Sequence, residues 1–159
     1  MTAIENKIIP ALFADIQQRL QADGIQKTVV GAVILQRGQQ LLLVERAADD
    51  FMGGLVELPS GTVDAGEGLI EALVREVKEE TSLEVVSVDA YVGCFDYVSG
   101  SGKKARQLNF LVTVADGEVR LNPQEHTRFH SLSPTSAELT GLNISAETRQ
   151  IIAQALSSR

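Results

Sequence analysis

Gly61-Thr62-Val63-Asp64-Ala65-Gly66-Glu67, seven residues more, then Arg75-Glu76-Val77-Lys78-Glu79-Glu80-Thr81-Ser82-Leu83: the rest of the chain is read from this stretch. From Glu67 onward, Leu69, Ile70, Leu73, Val74 and Val77 recur at helical spacing and make one apolar stripe. Glu67 is expected to begin that helix, where a carboxylate suits the positive end of the dipole. Glu76, Glu79 and Glu80 lie at i, i+3 and i+4, so they share one arc bordering the stripe. The plainest reading of such a run is a solvated acidic face. Two energies oppose it. Like charges at this spacing repel by about a few tenths of a kcal/mol per pair. They also occupy the last turns, where the helix dipole disfavours anions. Arg75, one turn before Glu79, offers local relief. A bound divalent cation would reverse the sign, since hard cations take oxygen ligands.

These residues resemble the Nudix box, G-x5-E-x7-R-E-U-x-E-E-x-G-U with U aliphatic. Gly61, Glu67, Arg75, Glu76, Val77, Glu79, Glu80 and Leu83 fall on it, eight of its nine fixed positions. The departure is Ser82, where the family has Gly. A left-handed helix end there would cost Ser roughly 1 kcal/mol. The box covers 23 of 159 residues. Outside it, Arg46-Ala47-Ala48-Asp49, Met52 and Leu58-Pro59 resemble the lead-in of MutT-like members.

The resemblance implies a Nudix-type α/β/α sandwich with a mixed sheet, which agrees with the element order. It implies metal-dependent hydrolysis of a nucleoside diphosphate linked to a group X, by water attack on phosphorus. Mg²⁺ or Mn²⁺ is the implied cofactor. Glu76, Glu79 and Glu80 are the implied ligands, with the backbone carbonyl of Ser60, which precedes the first box Gly. Arg75 is expected to pair with a box carboxylate and orient it. Glu67 is expected to support the loop–helix junction beside Gly61, or to reach the hydration shell of the ion. The general base is Glu79 or Glu125, the latter in a loop where many members carry an extra acid. Arg46 is expected either to be a solvated strand-end charge or to contact substrate phosphate or base. The MutT-like lead-in tilts X toward further phosphate, a nucleoside triphosphate. No downstream Pro of ADP-ribose members, coenzyme A signature or dinucleoside-polyphosphate Tyr is evident. The alternative is a Nudix-fold sensor that holds a nucleotide without cleaving it. Such proteins usually lose box acids, and this chain keeps them.

At 159 residues, one domain spanning 1–159 is expected. The composition, 44% hydrophobic and 22% charged, is that of a globular protein. A net charge of −7 argues against nonspecific nucleic-acid binding. The single Cys94 excludes an intrachain disulfide framework and reads as a small core residue. No apolar run approaches membrane-spanning length, so no membrane partner is expected. The N-terminus has no signal pattern, making a cytoplasmic location the expectation.

Residues 4–22 read as an amphipathic helix with Ile8, Leu12, Ile16 and Leu20 near one face and Pro10 at or near its start. It serves packing or, alternatively, a homodimer interface. Residues 28–35 and 41–44 read as a strand hairpin, 49–55 as a loop, and 56–58 as a short strand ending at Pro59. A close turn follows at Ser60-Gly61. Alternation of Val86, Val88, Ala90, Val92 and Cys94 predicts a long strand over 84–97, paired with 108–114. The tip, Ser99-Gly100-Ser101-Gly102-Lys103-Lys104, is not a P-loop, because Tyr97 and Lys104 stand at required positions. Residues 119–121 read as a short extension and 128–132 as a strand. His126 and His130 lack a Cys or His cluster and do not suggest a zinc site. Ser133-Pro134 opens a helical turn through Leu139, and Ser145 reads as the N-cap of a last helix over 146–156 with Ile151, Ile152 and Ala155 inside.

Overall fold

A computed structural model describes residues 3–50 and 52–158. The ends of the expected 1–159 domain, and Phe51 in the expected loop, lie outside the described residues. The strands are β1 (Glu5–Asn6), β2 (Lys27–Gln36), β3 (Gln40–Arg46), β4 (Val56–Glu57), β5 (Ser60–Thr62), β6 (Val85–Val98), β7 (Lys104–Val114) and β8 (His126–Leu132). The helices are α1 (Pro10–Ala22), α2 (Leu69–Thr81), α3 (Ala137–Gly141) and α4 (Ala146–Ser157).

The sheet runs β1-β6-β7-β2-β3-β4, with β5 paired to β2 and β8 to β3. It is mixed: β1–β6 and β2–β7 are parallel, the other pairs antiparallel. Strand β2 is the spine, and its near-continuous apolar run suits a strand covered on both faces. Side chains two apart go to the same side. Val30, Ala32 and Ile34 therefore join one core with α1 and α2, while Val33 joins a second core with α4. Leu42 and its neighbours Leu41 and Leu43 divide in the same way. The result is the expected α/β/α sandwich.

Several local expectations need correction. The first helix begins at Pro10, not Ile4, because residues 5–6 pair with β6 as a strand. Its inner face is Phe13, Ile16 and Leu20, with Leu12 exposed. Asp23-Gly24 does end it, Gly24 at φ 66°. Helix α2 begins at Leu69 behind Gly68, so Glu67 precedes it. The Gly68 N–H donates instead to Glu71 Oε1 at 3.1 Å. Ser60-Gly61 forms a short strand against β2 instead of a turn. Residues 119–121 are not a strand; Arg120 N–H donates to Thr81 O at 2.9 Å. Ser136, not Ser133, caps the α3 turn. Ser145 caps α4 as expected, accepting from Thr148 N–H at 3.1 Å.

The largest departure is in β6. Its register shifts between Val85/Ser87, Val88/Ala90 and Tyr91/Cys94, and each irregularity breaks the period of two. Val85 is buried and Val86 exposed; Val88 faces one core and Val92 the other. Cys94 is exposed, not a core residue.

Ser82 adopts the left-handed conformation expected of the box Gly, with φ 66° and ψ 10°. Its N–H donates to Lys78 O at 2.9 Å, and its hydroxyl donates to Arg120 O at 3.0 Å. That hydrogen bond, worth about 1 kcal/mol, offsets the backbone strain of similar size. Ser82→Gly is therefore expected to leave stability nearly unchanged, while Ser82→Ala, which keeps strain and loses the bond, should destabilise by about 1 kcal/mol. Urea unfolding of the three proteins checks this order; an Ala variant as stable as the parent would refute it.

Candidate functional site

The C-terminal half of α2, the β4–β5 segment and the start of β8 converge on a cleft of about 340 Å³. Its lining includes Lys27, Arg46, Asp50, Glu57, Ser60, Gly61, Asp64, Glu76, Glu80, Tyr97, Glu125 and His126. A larger depression of about 740 Å³ lies between residues 35–40 and 114–119, but among the described residues only Asp116 and Glu118 bring titratable groups to it. The first cleft carries six carboxyl groups against Lys27 and Arg46.

The three α2 glutamates do not share one environment. Glu76 and Glu80, one turn apart, are 9% and 4% exposed, whereas the Glu79 side chain is 54% exposed and does not line the cleft. Glu80 accepts the Ser60 N–H through Oε2 at 2.9 Å. Glu76 lies against Gly61: a Cβ built there would stand 1.9 Å from the Glu76 carboxyl carbon. Only a residue without Cβ lets β5 approach α2 this closely.

Arg75 ties these groups together. Its Nε and Nη2 meet Glu67 Oε2 and Oε1 at 2.7 and 2.8 Å, a bidentate pair. Nη1 meets Glu76 Oε1 at 2.8 Å and Glu79 Oε2 at 3.2 Å, and Nη2 also donates to Thr62 O at 3.0 Å. Glu67 Oε1 further accepts the Asp64 N–H at 3.0 Å, which closes the loop onto the helix.

A second wall comes from β3, β4 and β8. Arg46 donates to Glu57 through Nε and Nη2 at 2.7 and 3.1 Å. Glu57 Oε2 also lies 3.0 Å from His126 Nε2. Arg46 is thus a paired, part-buried cleft residue, not a solvated strand end. Glu125 stands exposed beside buried His126, and one ligand atom each from Glu80, Glu125 and His126 lie within 4.8 Å of one another. His126 thereby joins a cluster of candidate cation ligands that sequence spacing did not suggest. Glu57 was also missed; a lone acid between Val56 and Leu58 was its signal.

Burial pushes Glu80 up to about 9, against the Ser60 hydrogen bond, and the charges of Glu57, Glu125 and Glu76 add to the rise. Burial also raises Glu76, opposed by Arg75. The Arg75 hydrogen bonds hold Glu67 down at about 2. Burial works to raise Glu57, but hydrogen bonds from His126 and Arg46 outweigh it and leave Glu57 below its ordinary range. Two adjacent carboxyl groups that resist ionisation, in an acid-rich cleft, suit a divalent cation: it supplies the charge that would ionise them. The donor set thus fits an oxygen-seeking metal ion.

The NUDIX domain profile matches residues 26–154. An NAD-capped RNA hydrolase NudC of Pseudomonas entomophila is 33% identical over 95 residues, 58% of this chain and 32% of that protein. An ADP-ribose pyrophosphatase of Methanocaldococcus jannaschii is 33% identical over 91 residues, 55% of this chain and 51% of that protein. The chain matches only about a third to a half of these relatives' length. Among solved structures, a MutT protein from Methanosarcina mazei superposes with a TM-score of 0.70 at 25% identity, covering 82% of this chain and 93% of that one. With that profile spanning β2 to α4 and the box arranged as above, the chain belongs to the Nudix family.

Proposed function

We propose that the protein is a metal-dependent pyrophosphohydrolase that cleaves a diphosphate linkage in a nucleoside diphosphate-X substrate. One observation carries the reading. Glu76 and Glu80 are buried side by side in a cleft with six carboxyl groups and two cationic side chains, an arrangement that a bound cation makes favourable. Mg²⁺ or Mn²⁺, held by Glu76, Glu80 and the Ser60 carbonyl, would supply charge neutralisation for the diphosphate and acidify water. Glu79 is the weaker ligand candidate, because it lies outside the cleft and is engaged by Arg75.

In this reading the residues of the chain divide the work. Arg75 holds Glu76 in place and, through Glu67, anchors the loop that joins β5, with Gly61, to α2. Arg46 and Lys27 are the cations available to substrate phosphate at the cleft wall. Glu125 lines the cleft and Glu79 does not, so Glu125 is the better-placed acceptor for the proton lost by attacking water. Phosphoryl chemistry of this kind is chiefly positioning and electrostatics, which a rigid carboxylate set provides. The matched relatives are named for NAD-capped RNA and ADP-ribose, and the MutT-like lead-in favours a nucleoside triphosphate. One substrate panel with nucleoside triphosphates, ADP-ribose and NAD, with products identified, separates these. We further propose that α1 belongs to the same single domain and serves packing, since Ile16 lies in the shared core.

Chelation should abolish hydrolysis, and Mg²⁺ or Mn²⁺ should restore it; full turnover in excess chelator refutes the proposal.

Glu76→Gln and Glu80→Gln should each cut turnover about a hundredfold or more, whereas Glu118→Gln, on the exposed surface, should not. Without metal, Glu80→Gln should be more stable than the parent. The folded pKa of Glu80 lies above its unfolded value, so the folded state binds the extra proton and the parent loses stability as pH rises from the carboxylate range toward about 9. The stabilising effect of the substitution should therefore be larger at pH 8 than at pH 5. Melting temperatures in chelator at both values check the sign, and an advantage that shrinks with pH would contradict it.

Gly61→Ala should mimic Glu76→Gln. The new methyl displaces the Glu76 carboxylate, the far end of a long side chain, so turnover falls while the melting temperature changes little. Unchanged turnover in a folded Ala variant would show that the close approach is not needed.

A further inference from the structure

The imidazole of His126 has a place in this cleft that the box residues do not explain. It is 4% exposed, at the start of β8. Its Nε2 lies 3.0 Å from Glu57 Oε2. Glu57 is itself held by two hydrogen bonds from the Arg46 guanidinium, so it accepts, and Nε2–H donates. That tautomer leaves Nδ1 as a bare acceptor. Nδ1 is buried and has no hydrogen-bond partner among the described residues. A buried acceptor without a partner is costly, and Glu80 and Glu125 each bring a carboxylate oxygen to within 4.8 Å of a ring nitrogen of His126. A carboxylate that orients a histidine through one nitrogen and leaves the other as an open donor is the usual support of a metal-bound imidazole.

We infer that Glu80, Glu125 and His126 form a cation site with one nitrogen and two carboxylate donors, which takes a borderline divalent ion such as Co²⁺ more tightly than Mg²⁺. The assignment rests on the preceding reading of the cleft as a cation site. Imidazole suits the later transition ions, whereas Mg²⁺ prefers oxygen and water. One oxygen of Glu125 suffices as a ligand, and the second stays available as proton acceptor. Glu57 and Arg46 are positioning residues here: they fix the tautomer and orientation of His126.

The test uses the full-length chain, without nucleotide, titrated calorimetrically with Co²⁺ alone and with Mg²⁺ alone, together with the visible absorption of the Co²⁺ complex. His126→Gln places an amide where Nε2 was and removes the ring nitrogen of the site. Co²⁺ affinity should fall at least tenfold and the Co²⁺ absorption band should shift, while Mg²⁺ affinity changes by less than about threefold. Glu125→Gln, at an exposed position that does not endanger folding, should also weaken Co²⁺ at least tenfold. Unchanged Co²⁺ affinity and absorption in both variants would overturn the inference, as would an equal loss of Co²⁺ and Mg²⁺ binding in His126→Gln. If Mg²⁺ supports turnover but Co²⁺ binding ignores His126, this inference fails alone. If no cation supports turnover but Co²⁺ binding depends on His126, the proposed hydrolysis fails alone.

Discussion

The guanidinium of Arg75 is the contact on which the cleft depends. It engages Glu67 with two bonds, Glu76 and Glu79 with one each, and the backbone of Thr62 with another. These partners come from three parts of the architecture: the loop before α2, the helix itself and strand β5. A planar five-donor group can make all these contacts at once, which an ammonium cannot. Arg75 therefore does more than neutralise helix charge. It holds β5 against α2, where the absent side chain of Gly61 makes room for the Glu76 carboxylate.

Burial then separates residues that a helical wheel treats alike. Glu76 and Glu80 face the sheet and lose water, while Glu79, rotated outward, keeps it. Desolvation raises Glu80 far above its ordinary range. A chain carrying such a group sacrifices stability at neutral pH, and the loss is recovered only when a cation or proton joins it. Across the cleft the opposite logic holds. Glu57 is nearly as enclosed, yet Arg46 and His126 keep it ionised. The wall of Glu57 is thus internally compensated, whereas on the wall that carries the box Arg75 serves Glu67, Glu76 and Glu79 and leaves Glu80 without a cation partner among the described residues.

The irregular strand β6 shows how little of such detail local patterning carries. Five small and β-branched residues alternate cleanly over 86–94, yet three register shifts against β7 turn Val86 and Cys94 outward and send Val88 and Val92 to opposite cores. Pairing with β1 on one side and β7 on the other, and the need to cover two helical layers, override the period of two. The same holds at the N-terminus. Residues 5–6 have a helical neighbourhood but an open edge of β6 to pair with, and the helix waits until Pro10, whose missing N–H costs nothing in the first turn.

The sequence alone determined the elements whose signals are local. The apolar stripe of α2, the β-branched run of β2 and the cap at Ser145 each follow from side-chain chemistry within one turn or one strand, and the spacing of the box residues identified the family and, through its Gly position, the left-handed demand at Ser82. What only the tertiary structure decided are the relations between distant segments. Glu57, Glu80 and His126 are separated by 23 and 46 residues along the chain, and nothing in their own neighbourhoods announces that strand pairing of β3 with β4 and β8 will set them around one cleft. Nor could spacing show which of three glutamates loses its water, or that Arg46 finds Glu57. Charge, burial and hydrogen-bond partners are properties of surfaces brought together, so they come into being only when the chain has folded.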